Sequence, residues 1–293
     1  MSFLPKLQDK DNGIITRSDL KRPQVKIIYY ILFTICLIIT VVSIAPPIWV
    51  LLSSFKDIKE FTLEPTLIPK EFDFNKFIKT WNDLKFFKFY VNSFYSVAGS
   101  VVCAIIFNGL LAFALSIIKP KGSRFVYALV MGSLMVPATT SIVPLFININ
   151  KLGLSGTFYP LWLSIGANAF YVVLYKQFFD TLPKSIIEAA RIDGCSNLQI
   201  FTRIVMPLSK PITMVVAMYA VNYAWSDFLL PYLVLNNTGL ETVMVRLFQF
   251  RNGKTADVDI LRAIVFAIIP PIILFTAFQK QITQGSTHSG VKG

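Results

Sequence analysis

Residues 27–55 read IIYYILFTICLIITVVSIAPPIWVLLSSF, a run between Lys26 and Lys56 that contains no charged side chain. A helix needs about 20 apolar residues to cross the hydrocarbon core of a bilayer, so this run is long enough to span a membrane. It is too long for the core of a signal peptide and lacks a small-residue cleavage pattern, so we interpret it as a retained membrane helix. The run therefore indicates an integral membrane protein.

The composition of the whole chain agrees with this interpretation. Of its 293 residues, 54% are hydrophobic and only 15% are charged, whereas about 25% of the residues of a soluble domain are charged. The formal net charge is +12, which in a soluble protein would suggest nucleic acid. Here the basic residues stand at the ends of long apolar runs, as membrane topology requires. We expect lipid as a partner and no nucleic acid.

Few residues in the sequence are suited to catalysis or metal binding. Cys36, Cys103 and Cys195 are far apart, and the only histidine is His288. A zinc site, a disulfide framework or a catalytic triad is therefore not expected, and no GxxxxGK[ST] phosphate loop occurs. We predict no catalytic residue, no metal ligand and no cofactor in this chain.

Five further apolar stretches bring the predicted number of membrane spans to six. They lie at 88–119, 124–151, 151–176, 211–235 and 263–279. The fifth contains one acid, Asp227, and the sixth is short, with Arg262 and Lys280 expected to reach toward the interface from its ends. The sequence thus predicts an all-α integral membrane protein with six transmembrane helices over 27–281, an N-terminal segment 1–26 and a C-terminal tail 282–293.

The distribution of basic residues sets the predicted orientation. With the N-terminus inside, the inner segments hold 16 Lys and Arg against 6 acids, and the outer side holds 12 against 9, not counting Asp227. Cytoplasmic loops carry the excess of Lys and Arg. Both termini and the loop 180–210 are therefore expected in the cytoplasm of a multi-pass protein, and the loop 56–90 outside.

The cytoplasmic loop carries a polar hairpin within LPKSIIEAARIDGCSNLQIFTRIVMPLSKP, residues 182–211. Pro183 suits the first turn of a helix, Gly194 a left-handed C-cap, and Ser196 the N-cap of a second helix. Ala189 and Ala190 would form a flat patch that a partner can approach closely, beside Glu188 and Arg191. We interpret the hairpin as a docking element; an ordinary interfacial linker is the alternative.

The sequence of this hairpin resembles the EAA loop of binding-protein-dependent ABC importer permeases. Glu188-Ala189-Ala190 is followed after three residues by Gly194, and after nine more by residues 204–207, IVMP, with Met206 where Leu is usual. In that family the loop is a coupling helix that fits a cleft on the cytoplasmic ATPase subunit. The resemblance implies ATPase docking by Glu188, Ala189, Ala190, Arg191, Asp193 and Gly194.

Four further segments resemble the second permease subunit of maltose-type or multiple-sugar importers. They are LIPKEFDFNKFIKTW at 67–81, FYVNSFYSV at 89–97, WSDFLLPYLVL at 225–235 and QGSTHSGVKG at 284–293. Ser226 replaces the usual Asn, and Ser286, His288 and Ser289 replace Leu, Ala and Gly. In the family the tail reaches the ATPase dimer, which implies contacts by Gly285, Thr287, Gly290, Lys292 and Gly293.

The resemblance also implies the partners. They are a second permease subunit in a heterodimer, a cytoplasmic ATPase dimer that holds ATP and Mg, and an external solute-binding protein, all at a prokaryotic cell membrane. The loop 56–90 and the segment 236–258 are the expected contacts for the binding protein. The chain would form half of a sugar translocation pore.

Polar and aromatic residues within the spans are candidates for the translocation pathway. In the fifth span Asn222, Tyr223, Trp225 and Asp227 offer amide, hydroxyl, ring and carboxylate groups that suit sugars. The alternative for Asp227, which we favour, is a structural role in a turn or helix contact near the outer end. Asn92 and Asn108 on the second span are further candidates, and helix-packing hydrogen bonds explain them equally well.

The sequence leaves other solutes and other functional classes open. A polyol or a glycerol phosphate could replace the sugar. A self-contained secondary transporter would need an acid deep in the membrane, for which Asp227 is the one candidate, and would leave the hairpin unexplained. A membrane enzyme has no paired carboxylates or intramembrane histidine to use.

Overall fold

The computed structural model describes residues 23–287, without the side chains of 138 and 279–287. Every regular element in this range is helical, which confirms the predicted all-α class. The chain divides into two compact units, one ending at Phe72 and the other beginning at Asp73.

The first unit contains the predicted first span. Helix α1, Pro23–Ser54, carries the long uncharged run and includes Pro46 and Pro47. Its apolar side chains are exposed along the span, as expected of a helix that faces lipid. A short helix α2, Ile58–Thr62, follows.

The segment after α2 is held by one carboxylate. Glu60 accepts hydrogen bonds from the Thr66 hydroxyl at 2.7 Å and from the Lys70 backbone N–H at 2.9 Å. The rings of Phe55 and Phe72 lie 5.2 Å apart, edge to face. These contacts order the first half of the loop that the sequence predicts outside the membrane.

The second unit is a bundle of long and short helices. In chain order these are α3 Asn75–Asp83, α4 Phe86–Phe113 with a π-helical turn Ala114–Ile118, α5 Ser123–Ser133, a 3₁₀ turn Ala138–Ser141, α6 Ile142–Lys151, α7 Tyr159–Gly166, α8 Ala169–Asp180, α9 Lys184–Ile192, α10 Asn197–Ile200 with a π-helical turn Phe201–Val205, α11 Met206–Leu208, α12 Lys210–Ser226, α13 Leu229–Leu235, α14 Val243–Arg251 and α15 Asp257–Thr287.

Helix α4 is the centre of this bundle and packs against α7, α8 and α12. Two glycines allow α4 and α7 to approach closely. A Cβ added at Gly99 would overlap the indole of Trp162, and one at Gly166 would lie 2.9 Å from the Phe107 ring. The absence of side chains at these two positions therefore sets the α4–α7 distance.

Helix α15 packs against α12, α14 and α3, and its start corrects one prediction. Arg262 does not reach toward an interface; it is buried, with its Nη1 2.7 Å from Asp259 Oδ1. The same Oδ1 accepts a 2.7 Å hydrogen bond from the Thr80 hydroxyl of α3. The helix begins at Asp257, six residues before the predicted span, so Arg262 lies inside a helix contact.

Three of the predicted spans are not continuous helices. Within the described residues, three helices are long and apolar enough to cross a membrane, namely α1, α4 with its π turn, and Asp257–Phe278 of α15; α10–α12 would make a fourth if that bent pair counts as one span. The remaining predicted spans break between α5 and α6, between α7 and α8, and between α12 and α13. The count of six spans therefore stays a prediction.

Candidate functional site

The polar hairpin forms as two helices, with boundaries close to those predicted. Helix α9 begins at Lys184, so Pro183 precedes the first turn instead of lying within it, in an extended conformation (φ −60°, ψ 122°). Ser196 caps α10 through a capping box in which its hydroxyl accepts from Gln199 N–H and the Gln199 side chain accepts from Ser196 N–H.

Gly194 ends α9 in the predicted left-handed conformation, with φ +77°. The Cys195 N–H donates to the Ala190 carbonyl at 2.9 Å, and the Gly194 N–H donates to the Arg191 carbonyl at 3.1 Å. This pair of bonds is the Schellman arrangement. It satisfies two carbonyls at the end of α9 and gives the turn between the helices one defined shape.

The hairpin is anchored to the bundle by one face of each helix. Ile187 and Ala190 of α9 are buried, as is Ile200 of α10. Phe201 follows, and its ring lies 5.4 Å from that of Phe113 at the end of α4. Ala190 thus faces the chain's own core, and the small patch expected at residues 189–190 is exposed only at Ala189.

The opposite face of the hairpin is exposed. We use the name hairpin face for Glu188, Ala189, Arg191, Ile192 and Leu198, all of which are exposed. Ile192 is 86% exposed and Leu198 is 64% exposed. Asp193 and Gly194 lie exposed between them in the turn.

Sequence reasoning missed the two apolar residues of this face. Ile192 stands four residues after Glu188, and helical residues four apart share a face. That spacing was the available signal. It places a large exposed apolar side chain next to the carboxylate of Glu188 and the guanidinium of Arg191.

The hairpin leads into α12 through a sharp bend. The axis of residues Asn197–Leu208 and that of Lys210–Ser226 differ by 85°, with the break at Ser209. Pro207 and Pro211 flank this break, in keeping with the loss of helical hydrogen bonds at proline. The second arm of the hairpin, Asn197–Leu208, therefore lies nearly perpendicular to the apolar helix that it joins.

Asp180 joins the end of α8 to the end of α4 beside the hairpin. Its carboxylate accepts hydrogen bonds from the Ser116 hydroxyl and from the Lys176 ammonium, both at 2.6 Å. Desolvation raises the pKa of Asp180, but these two hydrogen bonds and the positive charges of Lys176 and Lys119 together outweigh it, so the pKa lies below its usual value.

The two asparagines of α4 are hydrogen-bonded to the chain's own backbone. Asn92 donates to the Glu241 carbonyl at 3.0 Å and to the Gly239 carbonyl at 3.3 Å. Asn108 donates to the Ile165 carbonyl at 3.0 Å, and its Oδ1 accepts from the Asn168 N–H at 2.9 Å. Both side chains are buried. Their burial and hydrogen bonds agree with a role in helix packing, the alternative to a role in the translocation pathway.

The candidates on α12 divide into buried and exposed residues. Trp225 is buried, and its indole N–H donates to the Ala267 carbonyl of α15 at 3.1 Å. Asn222 and Tyr223 are exposed on the same helix. Of the predicted pathway residues on α12 itself, these two are the ones that point away from the core.

Asp227 stands at the break between α12 and α13. Its carboxylate lies near the backbone N–H groups of residues 228–230 at the start of α13, where a negative charge favours a helix. It also borders a cavity of about 10 Å³ shared with Ser96 and Ser100, about the space that one water needs. The Ser100 hydroxyl is buried there without a partner in the described chain.

The tail candidates fall at and beyond the end of α15. Gly285 and Thr287 lie on the helix itself, which extends past the predicted boundary at 281. Gly290, Lys292 and Gly293 lie outside the described residues, as does the segment 1–22.

Comparisons with known proteins agree with these features. The profile of the family described as "Binding-protein-dependent transport system inner membrane component" matches residues 105–287. A probable ABC transporter permease of Bacillus subtilis is 30% identical over 88% of this chain and 87% of its own length. An arabinooligosaccharides transport system permease of Halalkalibacterium halodurans is 31% identical over 87% of this chain and 93% of its own.

A solved structure shares the fold. A chain from the crystal structure of a bacterial ABC transporter involved in the import of alginate, an acidic polysaccharide, superposes with a TM-score of 0.77 at 23% identity, covering 92% of this chain and 99% of that one. The family match also selects an importer component over a self-contained secondary transporter. With its helical bundle and capped polar hairpin, the chain belongs to the family of binding-protein-dependent transport system inner membrane components.

Proposed function

We propose that this chain is one of two membrane subunits of an ATP-driven oligosaccharide importer, and that its hairpin face docks on a separate ATPase dimer. The ATPase would hold ATP and Mg, since no phosphate-binding loop occurs in this sequence. Both termini and the hairpin would lie in the cytoplasm of a prokaryotic cell.

The observation that carries the proposal is the two-sided construction of the hairpin. One side, with Ile187, Ala190 and Ile200, is buried in the bundle. The other side presents Ile192 beside Glu188 and Arg191 to solvent. Exposed apolar groups rimmed by charges are typical of an interaction surface. A linker surrounded by water would gain nothing from exposing Ile192.

The attachment of the hairpin suggests how it would transmit motion. Its turn has a fixed shape because of the Gly194 cap, and its far end bends by 85° into α12. A displacement of α9 would therefore reach α12 through packed side chains and backbone. Closure of the ATPase dimer on ATP would then favour one of two pore conformations, as a ligand shifts a population.

The solute class follows from the relatives. The Halalkalibacterium halodurans relative is named for arabinooligosaccharides, and the solved transporter for an acidic polysaccharide. We therefore propose an oligosaccharide over a polyol or a glycerol phosphate. A second permease would complete the pore, and a solute-binding protein would meet the loop 56–90 and the segment 236–258 from outside.

The test is co-purification of the tagged full chain from its own membranes, comparing Ile192→Glu with a matched control. Leu67, 84% exposed, lies in the predicted outer loop, so Leu67→Glu makes the same chemical change away from the hairpin. We expect wild type and Leu67→Glu to recover an ATPase and a second permease, and Ile192→Glu to recover the permease but not the ATPase.

Two results would contradict the proposal. One is a wild-type chain that purifies without an ATPase. The other is Ile192→Glu retaining the ATPase as fully as the control does, which would leave the hairpin as a linker. The contact of the tail residues Gly285–Gly293 with the ATPase remains a separate prediction, to be checked by deleting them and measuring uptake.

A further inference from the structure

A cavity of about 370 Å³ lies between α13 and α14. Its volume falls within the range of about 300–1,000 Å³ that ligand pockets occupy. Its lining is unusually polar for this chain: Tyr232, Asn236, Asn237, Arg246, Phe248, Gln249 and Asn252.

The guanidinium of Arg246 has no carboxylate partner in the described part of the chain. Its guanidinium carbon lies 4.6 Å from the centre of the Phe250 ring and 5.0 Å from that of Phe89. Cation–π contacts of this kind position the group but do not neutralise its charge.

The hydrogen bonds of this guanidinium are incomplete within the described chain. Arg246 Nη1 donates to Gln249 Oε1 at 2.7 Å, whereas Nε is buried and makes no hydrogen bond within the described chain. A buried donor without an acceptor is unfavourable, and a charged one more so. Arg246 as a whole is half-buried and lines the cavity, so the charge of its guanidinium lies at the cavity wall.

Amide groups extend this polar surface along the cavity. The Gln249 amide donates to Asn236 Oδ1 at 2.7 Å, so Arg246, Gln249 and Asn236 form one chain of hydrogen bonds. Asn237 and Asn252 are exposed at the rim. Each amide offers both donors and acceptors, which matches the hydroxyl groups of a saccharide.

Aromatic rings form the apolar part of the lining. Tyr232 and Phe248 lie 5.2 Å apart, edge to face, and Phe248 is 38% exposed. The C–H face of a pyranose ring can pack on such an aromatic face. The combination of amides, rings and a cation in one cavity is not needed for helix packing alone.

The wall of the cavity is preformed because α4 holds it. The Ser93 hydroxyl accepts from the Val243 N–H at 2.8 Å at the start of α14. Asn92 binds the carbonyls of Gly239 and Glu241, just before it. A preorganised site loses less entropy on binding.

We propose that this cavity is a binding subsite for an acidic saccharide, with a sugar carboxylate on Arg246, sugar hydroxyls on the amides and the pyranose face on Phe248. The inference rests on the proposed function, which places the segment 236–258, and with it α14, on the outer side of the membrane. A carboxylate is the ligand that fits, because a planar guanidinium pairs with it through two parallel hydrogen bonds.

The experiment measures direct binding to the full chain in nanodiscs by titration calorimetry. The probes are trigalacturonic acid and its carboxyl-reduced, neutral derivative. We expect the acid to bind about 10-fold or more tightly than the neutral probe, as loss of a hydrogen bond to a charged group implies. The preference for the acid should disappear in Arg246→Gln. It should be reduced in Arg246→Lys, because lysine keeps the positive charge but lacks the planar guanidinium that can donate two parallel hydrogen bonds.

Arg251→Gln is the matched control, because Arg251 is on the same helix, is exposed and does not line the cavity. It should keep the preference for the acid. Equal binding of both probes by wild type, or equal loss of the preference in Arg251→Gln, would overturn the assignment. So would an Arg246→Gln variant that binds the acid normally but no longer captures the solute-binding protein, since Arg246 would then be a protein contact.

The same preparations separate this inference from the proposed function. If the reconstituted complex takes up sugar on adding ATP but shows no preference for the acid, the cavity assignment fails and the importer stands. If the chain binds the acid with the expected preference but recruits no ATPase, the proposed function fails and the binding site stands.

Discussion

Replacing Asn108 by Ala tests whether one side chain holds the break between α7 and α8. Asn108 is 1% exposed. It donates to the Ile165 carbonyl near the end of α7 and accepts from the Asn168 N–H at the start of α8. In a continuous helix, the Ile165 carbonyl and the Asn168 N–H would both form backbone hydrogen bonds within the helix. At the break between α7 and α8, the Asn108 side chain supplies these hydrogen bonds instead.

The size of the effect follows from the groups that the substitution leaves unpaired. Each buried polar backbone group without a partner costs roughly 1–3 kcal/mol in a soluble protein. Polar contacts between membrane helices average about 0.6 kcal/mol, because the unfolded chain in a membrane also finds partners. For the two groups together we expect a loss of about 2 kcal/mol, which corresponds to a fall in melting temperature of about 4–8 °C for a domain of this size.

The assay is thermal unfolding of the purified full chain, with Asn150→Ala as the control. Asn108 donates to the Ala104 carbonyl four residues earlier at 2.8 Å, and Asn150 donates in the same way to the Phe146 carbonyl at 3.1 Å, but Asn150 is exposed. The control should therefore shift the melting temperature by much less. Equal shifts for the two variants would refute the argument, because burial and the α7–α8 break would then have no special weight.

Two further predictions concern packing and charge. Gly99→Ala should lower the melting temperature, because the added Cβ would overlap the Trp162 indole. Gly132→Ala is the control, since the space around Gly132 is open, and it should leave the melting temperature unchanged or raise it. Equal effects of the two substitutions would contradict the close approach of α4 and α7. The lowered pKa of Asp180 means that its ion pair with Lys176 stabilises the fold above the usual Asp pKa, and that this stability is lost as the pH falls below about 4. Thermal melts at neutral and acid pH should therefore show wild type more stable than Asp180→Asn at neutral pH, with the difference shrinking in acid; a constant difference would assign the effect to packing.

Local patterns in the sequence predicted the elements that depend on near neighbours. The uncharged run 27–55 lies in α1 almost entirely, as predicted. This could be predicted because the ability of a helix to span a bilayer depends mainly on the length of its apolar run. Gly194 and Ser196 took the predicted cap positions because capping depends on residues within one turn. The EAA-type spacing identified the family, which the comparison with known proteins confirmed.

Tertiary packing decided the rest. The sequence predicted one span over 151–176, but α7 and α8 are separated by a break that Asn108 holds, a residue close in space and distant in sequence. The sequence predicted Ala190 in an exposed docking patch and Arg262 at the membrane interface. Packing of the bundle buries both side chains.

The cavity of α13 and α14 has the same origin. Arg246, Gln249 and Asn236 are spaced along the chain without a recognisable motif, and they converge because α4 holds the segment between their helices. Membrane class, hairpin caps and family are therefore readable from the sequence, because they arise from short-range patterns. Which polar groups are buried, paired or left facing a cavity is decided by the tertiary structure, because that depends on contacts between residues far apart in the chain.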